Sequence, residues 1–128
     1  MMKFIPGEQG FTLIELIAVL VIISVLAAIA IPRYISLDEN ARQRAIDAGI
    51  SELNGRETLT WSNIKITITG YLDDAALFSL VDKTLGAGYS WDGGSPGEHG
   101  GTLKFKESTS VPLTRTESTF TKPGYWSR

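Results

Sequence analysis

Cysteine is absent from this chain of 128 residues, which excludes a disulfide framework, a thiolate metal centre and a cysteine nucleophile together. Histidine occurs once, at position 99, so a paired-histidine zinc motif is missing as well. There is no excess of basic charge: 12 Lys and Arg face 14 Asp and Glu, a formal net charge of -2. That balance leaves no electrostatic footprint for a phosphate backbone, and no nucleic acid is expected as a partner. No serine sits in a nucleophile elbow and no phosphate-cradling glycine loop opens a helix. Catalysis therefore has little to stand on, and the chain is expected not to be an enzyme. A membrane-anchored binding or enzymatic domain is the remote alternative.

One long apolar run is present. From Phe11 to Ile31 only Glu15 is charged, and as a helix rising about 1.5 Å per residue the stretch would span about 30 Å, the thickness of a bilayer's hydrocarbon core. A carboxylate at mid-membrane costs about 2.5 to 3.5 kcal/mol on insertion scales and less near an interface, so Glu15 needs a reason. Pro32 follows the run; lacking an amide donor, its ring is expected to bend or loosen the helix across Ala28 to Pro32. Ahead of the run, Met1 to Gly10 reads as a processing segment, with Lys3 offset by Glu8. The small residue expected at a cleavage point lies before the apolar run, so cutting after Gly10 leaves the helix on the mature chain; an uncleaved signal anchor is the alternative.

Gly10-Phe11-Thr12-Leu13-Ile14-Glu15, the apolar helix behind it and Pro32-Arg33-Tyr34 together resemble a type IV pilin or a type II secretion pseudopilin, over Gly7 to Tyr34. The resemblance implies that a prepilin peptidase removes residues 1–10 and methylates the new amino terminus at Phe11. It gives Glu15 an assembly role, pairing with the Phe11 ammonium of a neighbouring chain and setting register, since a misregistered chain leaves both charges unpaired. The other reading of Glu15 is an acid at a helix N-terminus that snorkels to the interface and is favoured by the dipole. The implied protein is a single-pass inner-membrane subunit, residues 11–32 spanning and 33–128 forming a periplasmic or extracellular head, assembled into a filament of its own copies. Implied partners are minor pilins or pseudopilins, an inner-membrane platform protein, an assembly ATPase acting indirectly, and the peptidase. Many major pilins staple the C-terminal region with a disulfide, and the lack of cysteine leans the reading toward a secretion pseudopilin, with a pilus pilin for adhesion, motility or DNA uptake as the alternative.

The expected fold is α+β and pilin-like, a long N-terminal helix packed on a small antiparallel sheet. Past Arg33, Leu37, Ala41, Ala45 and Ala48 fall on one helical line and Ile46, Ile50 and Leu53 on the next, and small residues Ala45, Ala48 and Gly49 allow close approach of a sheet. Asn54-Gly55 is a natural stop, with extension through Thr60 as an alternative. Ile64 to Thr69 alternates apolar and polar with β-branched residues, the pattern of a strand. Asp73 caps a short helix with Leu77, Phe78, Val81 and Leu85 on one face and Gly86 as its stop, which also accounts for the Asp73-Asp74 pair. Strands follow at Gly88 to Trp91, Thr102 to Lys106 and Val111 to Thr116. The glycine-rich loop from Asp92 to Gly101 holds Asp92, Glu98 and His99; Asp92 and Glu98 are calcium candidates, but no EF-hand spacing is present, and a solvated turn without metal or other cofactor is the favoured reading. Tyr125 and Trp126 either close the sheet edge or form a contact patch.

Overall fold

The computed structural model describes residues 10–128, so the expected leader, apart from Gly10, lies outside the described residues. The elements in order are α1 (Leu13–Lys65), α2 (Asp74–Leu80), β1 (Tyr89–Gly97), β2 (Gly100–Phe105), β3 (Val111–Thr116) and β4 (Tyr125–Ser127). The class is α+β, one long N-terminal helix with an apolar first half and a four-stranded antiparallel sheet. The chain forms two compact units, one ending at Asp38 and the other Glu39–Arg128.

In the first unit every large apolar side chain from Leu13 to Ile31 is exposed. Water would reject such a surface, and α1 is the one helix among the described residues long and apolar enough to cross a membrane. The run also satisfies its polar atoms internally, as lipid demands: the Ser24 hydroxyl donates to the Leu20 carbonyl at 2.7 Å. The helix continues through Pro32, whose missing amide removes one hydrogen bond from the ladder without ending it.

In the second unit the helix buries Ile46, Gly49, Leu53 and Glu57. These positions recur every three or four residues, so one stripe faces the sheet; Ala41 and Ala48 stay exposed. Strand order is β1-β2-β3-β4, each neighbour antiparallel. Leu103 of β2, Leu113 of β3 and Trp126 of β4 close on Ile46 and Leu53 to form the core, with Ile50, Phe78, Leu85, Tyr89 and Trp91 around it. Gly49 sets how closely helix and sheet approach, because a Cβ there would lie 3.0 Å from Tyr89 Cε1 and 3.3 Å from Leu103 Cδ2. Tyr89 then donates to the Ala45 carbonyl at 2.7 Å, fastening β1 to the helix.

Four local expectations give way to tertiary context. The helix does not stop at Asn54-Gly55 or at Thr60 but runs to Lys65, because Asn54 spends its side chain on the backbone of Trp126 instead of capping the helix. Residues 64–69 form no strand. Ile64 and Lys65 complete α1 and the rest is a tight turn with Thr67 and Gly70 amides bonded three residues back. Ile66 and Ile68 are 85% and 109% exposed; alternation makes a strand only where one face packs against neighbours, and here neither isoleucine is buried. Helix α2 ends well before Gly86. Val81 turns extended and the Lys83 ammonium caps the helix by donating to the Phe78 and Val81 carbonyls. The glycine-rich loop is a hairpin rather than a loose turn. Asp92 pairs with Thr102 and Gly97 with Gly100, with an irregularity between. Pro96 is buried, against Gly101, where a Cβ would come within 2.7 Å of the proline's own.

Since Gly49 fills the narrowest gap between helix and sheet, Gly49→Leu is expected to lower the unfolding free energy by about 1 to 3 kcal/mol through overpacking, whereas Gly55→Leu, facing open space, should not. Denaturant unfolding of detergent-solubilised protein, followed by tryptophan fluorescence, checks both.

Candidate functional site

The amino-terminal end of α1 gathers the residues that sequence reasoning singled out. Gly10 and Phe11 are exposed, Phe11 at 91%, so the bond between them is accessible. Thr12 and Glu15 bond reciprocally: the Thr12 amide donates to Glu15 Oε2 at 2.8 Å and the Glu15 amide to Thr12 Oγ1 at 3.3 Å. This is a capping box, two otherwise orphaned amides satisfied by one Thr-x-x-Glu pair. The pattern was legible in the sequence, and reading Glu15 only as a charge overlooked it. The acid thus has a job within its own chain, starting the helix.

The loop carboxylates do not build a site. Asp92 Oδ2 accepts from the Ser110 hydroxyl at 2.8 Å. Glu98 lies exposed in the turn between β1 and β2, and its carbonyl accepts from Arg115 Nη1 at 3.0 Å. His99 Nδ1 is 3.3 Å from Glu117 Oε1 at the surface. Among the described residues no three metal-ligating side chains come together.

A family model described as the prokaryotic N-terminal methylation motif matches residues 5–31. Gly10, Phe11 and Glu15 all fall inside this match. Two curated relatives are similar to part of the chain. The type IV narrow pilus major component PilA5 of Thermus thermophilus is 55% identical over 40 residues, 31% of this chain and 34% of that protein. The type IV major pilin protein PilA of Myxococcus xanthus is 43% identical over 51 residues, 40% of this chain and 23% of its own length. The chain therefore spans about a third or less of the relatives it matches. No solved structure matches.

Outside the methylation motif, the head holds an ion cluster. Arg115 of β3 donates through Nε to Glu57 Oε1 at 2.6 Å and through Nη2 to Glu57 Oε2 at 3.2 Å. On its other side Nη1 and Nη2 reach Asp74 Oδ2 and Oδ1, each at 2.8 Å. The Arg115 and Glu57 side chains are wholly shielded. Ser118 donates to Asp74 from amide and hydroxyl, Trp126 Nε1 to Glu57 at 3.0 Å, and Phe78 stacks its ring 4.7 Å from the guanidinium. Gly124 permits the closure, since a Cβ there would meet Glu57 Oε2 at 2.6 Å and Arg115 Nη2 at 2.8 Å. Asp74 is thus more than a companion of the capping Asp73, whose carboxylate does accept from the Ala76 amide. The signal was phase. Arg115 continues the inward alternation of Val111 and Leu113, and Glu57 continues the buried stripe through Leu53.

Burial by itself pushes the Asp74 carboxyl up, but bonds from Arg115 and Ser118 and the Arg115 charge outweigh it and hold the group below its ordinary value. Burial likewise disfavours the charged Arg115 guanidinium, and bonds to Asp74 and Glu57 with their charges outweigh it and hold the group in its charged form. A carboxyl lowered in the folded state contributes stability above its unfolded-chain value, about 3.9, and loses that contribution as pH falls through the folded value. Acid unfolding should accordingly steepen below about pH 4, and Asp74→Asn should flatten that limb. Arg115→Met, which strands two buried acids, should cost about 3 to 5 kcal/mol. Adding Glu57→Met and Asp74→Leu to it should recover most of the loss; urea unfolding across pH measures all of these.

Proposed function

We propose that this chain is a structural subunit of a type IV pilus-like filament, anchored in the inner membrane by the first half of α1 before assembly, with its head on the periplasmic side. The observation that carries the proposal is the match to the methylation motif with its exposed Gly10-Phe11 bond, continued by a helix whose apolar stretch is unburied among the described residues. Similarity over part of the chain to two named pilus components supports it. Copies of the chain are the principal partners, with minor subunits, a platform protein and a prepilin peptidase around them. The names of the relatives favour a pilus, while the cysteine-free head favours a secretion pseudopilin. Deleting the gene separates the two, through loss of surface filaments in one case and accumulation of unsecreted protein in the other.

Processing comes first. Co-expression with a prepilin peptidase should remove residues 1–10, and Gly10→Val should block it; an intact mass that still includes the leader in the native host sinks the proposal.

Glu15 then tests assembly, and the capping box sharpens that test. Glutamine serves at the third helical position of a capping box as glutamate does, so Glu15→Gln keeps the helix start and removes only the charge. Glu15→Val removes both and lowers the cost of residing in lipid. If Glu15 pairs with the Phe11 ammonium of a neighbour, both variants insert normally and both lose filaments, since breaking one side of a buried pair costs about 3 to 5 kcal/mol. Normal filament yield from Glu15→Gln would reduce the acid to a helix cap. Membrane fractionation followed by recovery of sheared filaments reads the result.

A further inference from the structure

The pair Asn54-Gly55 combines a sequence that favours a helix end with a structure that forbids one. Glycine offers no side chain to obstruct its amide nitrogen, and asparagine presents a side-chain carbonyl carbon one bond length beyond reach in an extended chain. Within α1 that attack is prevented twice. The helix directs the Gly55 amide toward the carbonyl four residues back, and both polar atoms of the Asn54 amide are held by strand β4. Asn54 Nδ2 donates to the Trp126 carbonyl at 3.0 Å, and the Trp126 amide donates to Asn54 Oδ1 at 2.6 Å. The following residues are fastened too, Arg56 to the Asp82 and Thr84 carbonyls and Glu57 to Arg115. The Gly55 face, by contrast, has no heavy atom within 4 Å of a built Cβ, so water reaches it.

We propose that Asn54-Gly55 is a spontaneous deamidation site gated by the docking of β4, and that its conversion weakens that docking. When β4 lifts and the helix turn opens, the Gly55 nitrogen gives up its proton to solvent base and bonds to Asn54 Cγ. The Cγ to Nδ2 bond breaks, ammonia leaves with a proton from water, and a cyclic imide remains. Water then adds to either imide carbonyl and opens the ring, leaving aspartate or isoaspartate at position 54. No redox partner is required. The gate is the weak end of the sheet: β4 has 3 residues and pairs only with β3, with Arg128 beyond it reaching Gln43 at 2.8 Å and Asp47 at 3.1 Å. Because Trp126 seats β4 in the core and bonds Glu57, β4 lifts only when that corner of the core opens with it, so the gate opens rarely. The product carboxylate still accepts from the Trp126 amide but has no hydrogen to offer the Trp126 carbonyl, and isoaspartate adds a backbone methylene inside the helix. A head that has opened long enough to react therefore closes less well.

The full chain in detergent at mildly alkaline pH, folded and in denaturant, supplies the test, with peptide mapping locating the amide-to-acid mass gain. Conversion at position 54 is expected to be at least about tenfold slower in the folded protein, as for an amide reached only by local opening. Arg128→Ala, which loosens β4 from the surface side, should raise the folded-state rate severalfold, and Gly55→Ala should suppress conversion in both states. Asn54→Asp should lower the denaturation midpoint and speed proteolytic release of the C-terminal peptide. Equal rates in folded and denatured protein, or indifference to Arg128→Ala, would remove the gate. Persistent conversion in Gly55→Ala would remove the site, and a wild-type midpoint for Asn54→Asp would remove its consequence.

Discussion

The Arg115 guanidinium, shielded from water between Glu57 and Asp74, is the constraint on which the rest of the head depends. A buried charge tolerates only geometries that keep all its partners in place, and here the partners come from α1, α2 and the turn before β2. Ser118, Trp126 and the Glu98 carbonyl complete the shell, and no buried side-chain polar atom among the described residues is left without a partner. Such a cluster adds less net stability than its short distances suggest, because desolvation offsets the attraction. It does penalise alternatives strongly. A slip of β3 by one residue would turn Arg115 to solvent and leave two acids buried alone.

The same logic fastens a C-terminal segment that has no disulfide to hold it. Beyond β3 the chain makes little regular structure, yet it is tied to the last turns of α1 at intervals. Trp61 Nε1 donates to the Thr119 carbonyl at 2.9 Å and Lys65 to the Phe120 carbonyl at 2.7 Å while lying over the Phe120 ring. Tyr71 bonds Ser118, and Trp126 packs in the core with its ring 5.6 Å from Trp91. Each net contribution is modest, about 0.5 to 1.5 kcal/mol for a hydrogen bond. Their spacing along one helix means that the segment cannot peel away without breaking several in turn. The second half of α1 therefore extends past its own stop signals because it is the surface to which the C-terminus is tied.

At the other end of α1 one acid closes the start of the helix within its own chain. A carboxylate that accepts from the Thr12 amide stays at the helix terminus, where the dipole favours it, rather than at mid-membrane depth. It lies four residues past Phe11, in the first turn of α1.

The sequence alone determined what depends on neighbours along the chain. The apolar run, the Gly10-Phe11-Glu15 motif, the Asp73 cap and the inward alternation of Val111, Leu113 and Arg115 could all be read from it, because hydrophobic period and capping are local chemistry. Only tertiary structure decided the rest. Asn54-Gly55 reads as a stop until Trp126 claims the asparagine, and Ile64 to Thr69 reads as a strand until α1 runs on through its first two residues and the rest closes into a turn. Asp92 to Gly101 reads as a slack loop until Pro96 seats against Gly101, and Asp74 reads as a companion of the capping Asp73 until Arg115 bridges it to Glu57. Contacts between residues tens of positions apart have no signature in either segment; they exist only once burial has made leaving a polar group unpaired more costly than bending a local preference.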